Sequence, residues 1–589
     1  MYQNLRQFLA KLRQEGMLVE IEAEVDPYLE LAEIHRRVIE DEGPTLLFTK
    51  VKGSSFPVVT NLFGTRRRVD MAVGPKPEQI VKHAVDSLNR LVPPRLKTLW
   101  QEREWLTALT KTGMRTVKEA QAPVLEVREA AVDLTKLPAL TSWPEDGGPF
   151  ITLPLVYTEH PTTGEHNLGM YRIHIQEAHQ TGIHWQIHKG GGFHYYEAER
   201  MGQDLPVSLF LGGPPALILA AIAPLPEMLP ELIFTSFLMR DKLARVKTEY
   251  HPHMLIAEAE FAICGTVPAN VRRSEGPFGD HYGYYSLEHD FPVFKVDTVF
   301  RRRDAIYPAT VVGKPRQEDY FIGEYLQALL APLFPVVMPG VKSLWTYAET
   351  GFHSLAAAVV RESYHREALA HAWRILGEGQ LTLTKFLLVT DVPSDFSNFR
   401  CLLENILERF EPESDLIIIN ETSMDTLDYT GRRLNHGSKG IMLGLGSPKR
   451  KLPTEYRGTN LPHIRDVKPF CAGCLVLEAP PFSEQEHLPQ VLLNLVLGEG
   501  QLEWPLYILV DDLDRALDQT GFLWQVFTRF DPAHDIFVKT EVKQNRLVYH
   551  GPVIIDARMK PGYPKELVPN DETVRLVDKR WKEYRLKKK

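Results

Sequence analysis

NLGMYRIHIQEAHQTGIHWQIHKGGG, residues 167–192, sets two arms of alternating apolar and polar residues on either side of the turn-like EAHQT, a pattern that reads as a β-hairpin. A glycine inside a strand marks close approach of a backbone or a ligand, and Gly169 is such a glycine. Asn167 and Arg172 are five residues apart, so a regular strand sends them to opposite faces unless a bulge at Gly169 turns the chain. His184, Gln186 and His188 alternate and share one face of the second arm. Imidazoles suit divalent metals, and Lys189 ahead of three glycines suits a phosphate. The same residues equally suit an ordinary polar strand face. No H-E-x-x-H is formed, which disfavours a zinc protease.

Outward from the hairpin, strand signals dominate residues 150–310: LPVSLFLGG (205–213), ALILAAIAPLP (216–226), AEAEFAICGTV (257–267) and FPVFKVDTVFRR (291–302), with one helix near 227–245. A β-barrel or sandwich packages such a run, because closure or packing buries the strand edges. Upstream, residues 1–120 alternate helix and strand. LAEIHRRVIEDEGP (31–44) and PEQIVKHAVDSLNRLV (77–92) read as helices, and TLLFTKV (45–51) and FPVVTNLF (56–63) as strands.

Downstream the chain repeats itself. LGEGQL at 376–381 returns at 497–502, LVTD at 388–391 returns as LVDD at 509–512, and RFEPESDLIII from Arg409 returns as RFDPAHDIFV from Arg529. Three ordered matches at offsets of 120–121 indicate two related α/β domains, each running strand, helix, strand, helix, strand. The first copy ends LNHGSKGI with Lys439; the second ends LVYHGPVI without a lysine. Cys471 and Cys474 form half of a zinc site at most and read as a buried strand pair.

The chain has 589 residues, enough for three to four domains at roughly 100–200 residues each. Charged residues make up 24% and the net charge is −8, so no basic field points to nucleic acid; the terminal LKKK is a solvated end. MYQNLRQFLAKLRQEGML carries charges throughout and lacks the apolar core of a signal peptide. No window approaches 18 uncharged apolar residues, so no membrane span is expected, and four cysteines in so long a chain suit a reducing cytoplasm.

EGPFGDHYGYY (275–285) holds Glu275 and Asp280 in a loop bent by Gly276, Pro277 and Gly279. Two converging acids split their proton affinities, so that one can stay protonated and donate, and an arginine between them would hold one ionised. By spacing alone the pair suits an ordinary solvated turn better than a site. Glu231, in PLPEMLPELIF, opens a helix, either as a hard oxygen ligand or as a residue placed for the helix dipole.

NLGMYR, HKGGG, EGPFGDHYGYY and ATVVGKPRQED (309–319), in this order, together with EDGGPFIT (145–152) and the GSK of 437–439, resemble the UbiD-like decarboxylase family over about residues 1–450. The resemblance implies a reversible, non-oxidative decarboxylase of an aromatic acid, of hydroxybenzoate or naphthoate type in a quinone pathway. Its cofactor would be prenylated FMN made by a separate flavin prenyltransferase. The implied fold is α/β (α+β multi-domain): an N-terminal α/β region (1–120), a split β-barrel flavin-binding domain (121–315) and a C-terminal α/β domain (316–460), to which the internal repeat adds a duplicated α/β domain with its basic tail (461–589). It also implies a cytoplasmic homo-oligomer with at most peripheral membrane association. Asn167, His188 and Glu231 match the ligands of a divalent cation, usually Mn²⁺, with K⁺ nearby in some relatives. Met170, Tyr171, Arg172, His184, Trp185, Gln186, Lys189 and Gly190 match cofactor-binding positions, and Lys439 matches a lysine that reaches the phosphate. Arg172, Glu275 and Asp280 match the catalytic set, with Asp280 as proton donor. His184 stands where some relatives have arginine, Ile187 precedes the metal histidine, and the repeat exceeds the usual length. The alternatives are a flavin oxidoreductase on a split barrel, a non-catalytic subunit of a multisubunit (de)carboxylase, and a metal hydrolase using the histidines.

Overall fold

The computed structural model describes residues 1–91, 102–103, 107, 110–186, 189–225, 229–458, 461–498 and 503–586. The chain divides into two compact units, Met1–Leu329 with Lys565–Lys589, and Leu330–Pro564. Residues 565–586 therefore leave the duplicated domain, where the sequence put them, and complete the first unit.

The first unit opens on the helix Leu5–Gln14, capped by Asn4, whose Leu5, Phe8, Leu9 and Leu12 lie on one buried face. A four-stranded sheet follows, in the order Leu18–Ile21, Thr45–Phe48, Val58–Thr60, Tyr307–Pro308. The dominant element is a ten-stranded sheet. Its main path runs Phe150–Ile151, Ile173–Glu177, Gln180–Ile183, His289–Arg301, Phe261–Val267, Leu205–Leu211, Leu155–Glu159, His166–Gly169. His166–Gly169 ends that path, while Ile173–Glu177 is next to last at the other end. Only Met170, Tyr171 and Arg172 join them, a span of at most about 14 Å. The sheet must therefore roll until its two ends meet, although no hydrogen-bonded closure joins them among the described residues.

This seam revises the hairpin reading. The antiparallel hairpin is Ile173–Glu177 with Gln180–Ile183, and Asn167 belongs to a different strand pair, opposite Thr158. The second arm ends at Ile183, so His184 and Gln186 sit in a connecting segment and not on a strand face; His188 lies outside the described residues. ALILAAI, read as a strand, is the buried helix Pro215–Ile222. A segment apolar on every side carries no period to separate the two. The helix expected near 227–245 is Glu231–Met239.

One helical run, Glu318–Val337, is long and apolar enough to cross a membrane, which the sequence reading did not expect. Glu318 and Asp319 open it and Glu324 lies within it, so the run carries three acids. The run is broken by the turn Ala331–Leu333, and its first carboxylate is tied into the protein: Phe63 N and Thr310 Oγ1 donate to Glu318 at 2.8 and 2.7 Å.

The second unit contains two five-stranded sheets of identical order. The first is Val341–Thr346, Leu355–Val360, Phe386–Thr390, His436–Gly444, Leu416–Ser423; the second is Asp466–Cys471, Cys474–Glu478, Leu506–Val510, Arg546–Asp556, Ile536–Lys543. Each begins and ends with an antiparallel pair, one strand more at either end than the repeat suggested. The shared motif RF[ED]P closes the same turn twice: Glu411 N donates to Asp415 at 2.9 Å and Asp531 N to Asp535 at 2.7 Å. The second LGEGQL lies mostly outside the described residues. The parallel register pairs Gly440 with Phe386 and Ile554 with Tyr507, so at an offset of 121 Val553 stands where the first copy has Lys439. The copies share one core, in which the Phe470 and Phe522 rings stack at 3.7 Å beside Phe399 and Phe527. Cys471 and Cys474 face each other, free and buried, across a hairpin turn.

Candidate functional site

Arg172 closes the seam, and the polar network is built on it. Its Nε and Nη2 donate to the two oxygens of Glu275 at 2.8 and 2.7 Å, a bidentate fork; Nη1 donates to Asp280 Oδ2 at 2.5 Å and Nη2 to Ser286 Oγ at 2.9 Å. A guanidinium has five N–H donors, so one Nη1 hydrogen remains beyond these four bonds. The side chains of Arg172, Glu275 and Asp280 are 7%, 0% and 11% exposed, and the Arg172 guanidinium lies 5.0 Å from the Phe278 ring centroid.

The loop reaches Arg172 because of its small residues. Gly276 holds φ +94°, which an L side chain rarely adopts, and a Cβ at Gly279 would stand 2.1 Å from the Trp143 indole. Phe278 and Gly279 pair with Ser286 and Tyr285, and Gly283 N donates to Asp280 O at 2.9 Å, so Asp280 occupies the first corner of a tight turn. Asp146 accepts from the backbone N–H groups of Ser142, Trp143 and Gly279 at 2.7–2.9 Å and pins the loop from below.

Electrostatics hold both acids ionised. Burial alone would raise Glu275, but the Arg172 charge and bidentate bond, aided by His184, hold it far below the usual carboxylate range. Burial opposes ionisation of Asp280 too, and is outweighed first by His281 and then by Arg172. Neither acid is thus protonated in this state, contrary to the split expected from two adjacent carboxylates. His281 donates its backbone N–H to Asp280 Oδ1 at 2.8 Å, and its Nδ1 lies 2.7 Å from the same oxygen. Asp146 and Asp319 are pushed by burial up to about 6.

Adjacent positions form a second cluster. Gly191 N, in the first turn of the helix Gly190–Arg200, donates to Tyr171 Oη at 3.1 Å, and the Tyr171 and Trp185 rings meet edge-on at 4.8 Å. Lys189 caps that helix, whose N–H groups suit a phosphate. Glu231, at the start of Glu231–Met239, accepts from Leu168 N at 3.2 Å, and burial raises its carboxyl. Among the described residues, the buried Asn167 Nδ2, beside Leu168, has no hydrogen-bond partner, and neither do His184 Nε2 and Trp185 Nε1. A buried carboxylate with so little compensation and a cluster of unsatisfied polar atoms fit a bound cation and a polar cofactor. The third expected ligand, His188, lies outside the described residues, and these residues otherwise show no group of three His, Cys, Asp or Glu able to hold a metal. Met170 and Gln186 are half-buried in the connecting segments. Lys439 belongs to the second unit, where it donates to the carbonyls of Thr382 and Thr384 at 2.7 and 2.8 Å and burial lowers it to about 8.

Sequence reasoning did not single out Asp146, His281 or Ser286. The position of His281 directly after Asp280 was the available signal; Asp146 and Ser286 reach the site only through long-range pairing.

The chain matches models of three domains of 3-octaprenyl-4-hydroxybenzoate carboxy-lyase: the N-terminal domain over residues 9–88, the Rift-related domain over 115–315 and the C-terminal domain over 320–444. A Chlamydia pneumoniae protein, named as a subunit of 4-hydroxybenzoate decarboxylase, is 50% identical over 583 residues, 98% of each chain. The UbiD-class enzyme HmfF of Pelotomaculum thermopropionicum, solved with FMN, is similar at 25% identity and TM-score 0.62, covering 78% of this chain and 97% of its own. An evolved dimeric form of that enzyme, solved with prenylated FMN, gives 25% identity and 0.61 over 78% of this chain and 97% of its own. Sedimentibacter hydroxybenzoicus vanillic acid decarboxylase in its closed form shares the fold at 23% identity and TM-score 0.68, over 84% of this chain and 99% of its own. The second α/β copy and residues 565–586 lie beyond the matched C-terminal domain.

Proposed function

The chain belongs to the UbiD family of carboxy-lyases, aromatic acid decarboxylases that work with prenylated FMN, and from that premise we propose that its substrate is a hydroxybenzoate-type acid and that Asp280 returns the proton to the ring carbon that loses CO₂. The observation that carries this reading is the Arg172 fork, which holds Glu275 with one edge and Asp280 with the other in a buried seam. When bound, prenylated FMN supplies the sink for the electron pair of the breaking C–C bond. Tyr171 and Trp185 would wall it, the N-terminus of Gly190–Arg200 with Lys189 would receive its phosphate, and Asn167, Glu231 and the sequence-matched His188 would hold the divalent cation, for which oxygen-rich ligands suit Mn²⁺.

The substrate carboxylate takes the remaining Nη1 hydrogen of Arg172, which orients it. The carboxylate leaves as CO₂, and the ring carbon takes one proton in exchange. Asp280 is ionised before this exchange, so it needs a proton in every turnover. His281 is placed to supply it through Nδ1 to Oδ1, and its side chain is 24% exposed. His281→Gln keeps the backbone bond to Asp280 but cannot carry a proton. It is expected to lower kcat about 10–100-fold with KM and flavin content unchanged, and added imidazole should restore part of the rate. An unchanged kcat would remove His281 from the path.

The direct experiment is co-expression with a flavin prenyltransferase in Mn²⁺ medium, followed by the mass of the bound flavin and CO₂ release from 4-hydroxybenzoate and its ring-substituted analogues. Bound prenylated FMN with CO₂ release is expected. A loaded protein that releases no CO₂ from any hydroxybenzoate would overturn the substrate class.

A further inference from the structure

The turn that presents Asp280 is not complete in the segment 278–286 that forms it. Its hairpin has two strands, Phe278–Gly279 and Tyr285–Ser286, and a third backbone segment lies along the outer one. That segment is Lys565–Leu567, which returns from the end of the second unit. Tyr285 N donates to Lys565 O and Leu567 N donates to Gly283 O, each at 3.0 Å, and Tyr284 and Glu566 form an antiparallel bridge. These partners bracket the turn closed by Gly283 N to Asp280 O and Asp280 N to Tyr284 O.

The side chains anchor the same place. Leu567 is fully buried in a small cluster with Trp143 and Tyr285, and Trp143 is the ring that packs against Gly279. Glu566 pairs with Lys314 and Lys565 with Glu145, while Glu145 N donates to the Tyr285 hydroxyl at 3.1 Å. Beyond the strap, the helix Asp571–Arg580 locks onto Glu30–Glu40. Arg37 reaches Asp578 at 2.7 Å, Tyr584 Oη donates to Glu30 at 2.6 Å, and Val577, Trp581 and Tyr584 join the large core. The strap is anchored on its C-terminal side by this helix and lies along the Asp280 turn.

We propose that Lys565–Leu567 is a positioning strap for Asp280, setting the turn from which that carboxylate meets the substrate. Its rate arm rests on the reading of Asp280 as proton donor; its structural arm does not. Leu567→Pro removes the N–H that bonds Gly283 O, Leu567→Ala keeps the N–H and empties the Trp143–Tyr285 cluster, and Leu567→Met keeps both. In the full-length, flavin-loaded protein, amide hydrogen exchange across 279–286 should rise at least tenfold in Leu567→Pro and less in Leu567→Ala. The same two variants should lose kcat, tenfold or more for Leu567→Pro, at unchanged KM and flavin content, with Leu567→Met restoring both readouts. Unchanged exchange across 279–286 while 565–570 exchanges faster would overturn the strap, as would faster exchange with an unchanged kcat. If Leu567→Pro does not fold, Leu567→Ala decides by the same two readouts. If the wild type releases no CO₂, the substrate reading fails and the exchange arm alone decides the strap.

Discussion

Asp280→Asn is expected to lower decarboxylation about 10²–10⁴-fold, the range of a positioned general acid, while the protein keeps its prenylated FMN. The amide is nearly isosteric and can turn its oxygen toward Arg172 Nη1 in place of Oδ2. Its NH₂ would then face the His281 ring, which can accept, while the His281 backbone N–H loses the acceptor it has in Oδ1. The turn keeps its backbone bonds, Gly283 N to Asp280 O and Asp280 N to Tyr284 O, and loses that N–H bond together with the exchangeable proton. Among the described residues, Asn167, Tyr171, Trp185 and Glu231 are not hydrogen-bond partners of Asp280, whose side chain is held by Arg172 and His281. The checks are CO₂ release and the mass of the bound flavin in the same preparation. A loaded variant within tenfold of the wild-type rate would take the proton-donor role away from Asp280.

Removing one half of the Arg172–Glu275 pair should cost stability as well as activity. Both side chains are buried, and breaking such a pair leaves an uncompensated charge worth about 3–5 kcal/mol. Arg172→Leu strands Glu275 and also releases Asp280, whose carboxyl burial then pushes up. Glu275→Leu leaves the guanidinium with Asp280 alone. The double variant Arg172→Leu/Glu275→Leu removes the unpaired charge and is expected to regain much of the stability but none of the activity, a coupling that denaturant unfolding can measure. Additive losses in the double variant would show that the pair is not a buried unit. The pH dependence has a definite sign. Because the folded Glu275 carboxyl is depressed, its contribution is fully present above the unfolded value of about 4, and is lost only as pH falls through the lower folded value. This pair should therefore add no slope to stability between pH 5 and 8.

The repeat was legible because duplication leaves ordered identity at a fixed offset, and strand order in the second unit repeats element for element. The acids of EGPFGDHYGYY were legible as a bent loop, since glycine and proline restrict the backbone locally. Their partner was not: Arg172 is 103 residues from Glu275, and nothing in the local pattern fixes that pairing. The seam at Met170–Arg172 was hidden for a related reason. One alternating run from Asn167 to Gln176 looks like a single strand, yet its halves pair with different neighbours at opposite ends of a sheet. ALILAAI failed by having no period at all. The local pattern weighs the two acids against each other, whereas in the folded chain Arg172 with His184 lowers Glu275, and His281 with Arg172 lowers Asp280, each against burial.

The return of the last residues to the first unit has a consequence for synthesis. On the ribosome, Lys565 emerges 280 residues after Tyr285. At about 5–20 residues per second the nascent Asp280 turn waits roughly a quarter of a minute to a minute for its third strand. Most of the flavin-binding sheet is translated well before that point. The strands around the Arg172–Glu275 fork can thus pair early, while the turn that carries Asp280 gains its third strand only once residues 565–567 have been made. A chain truncated by a late stop codon would still hold the Arg172–Glu275 fork but would lack the segment that completes the turn.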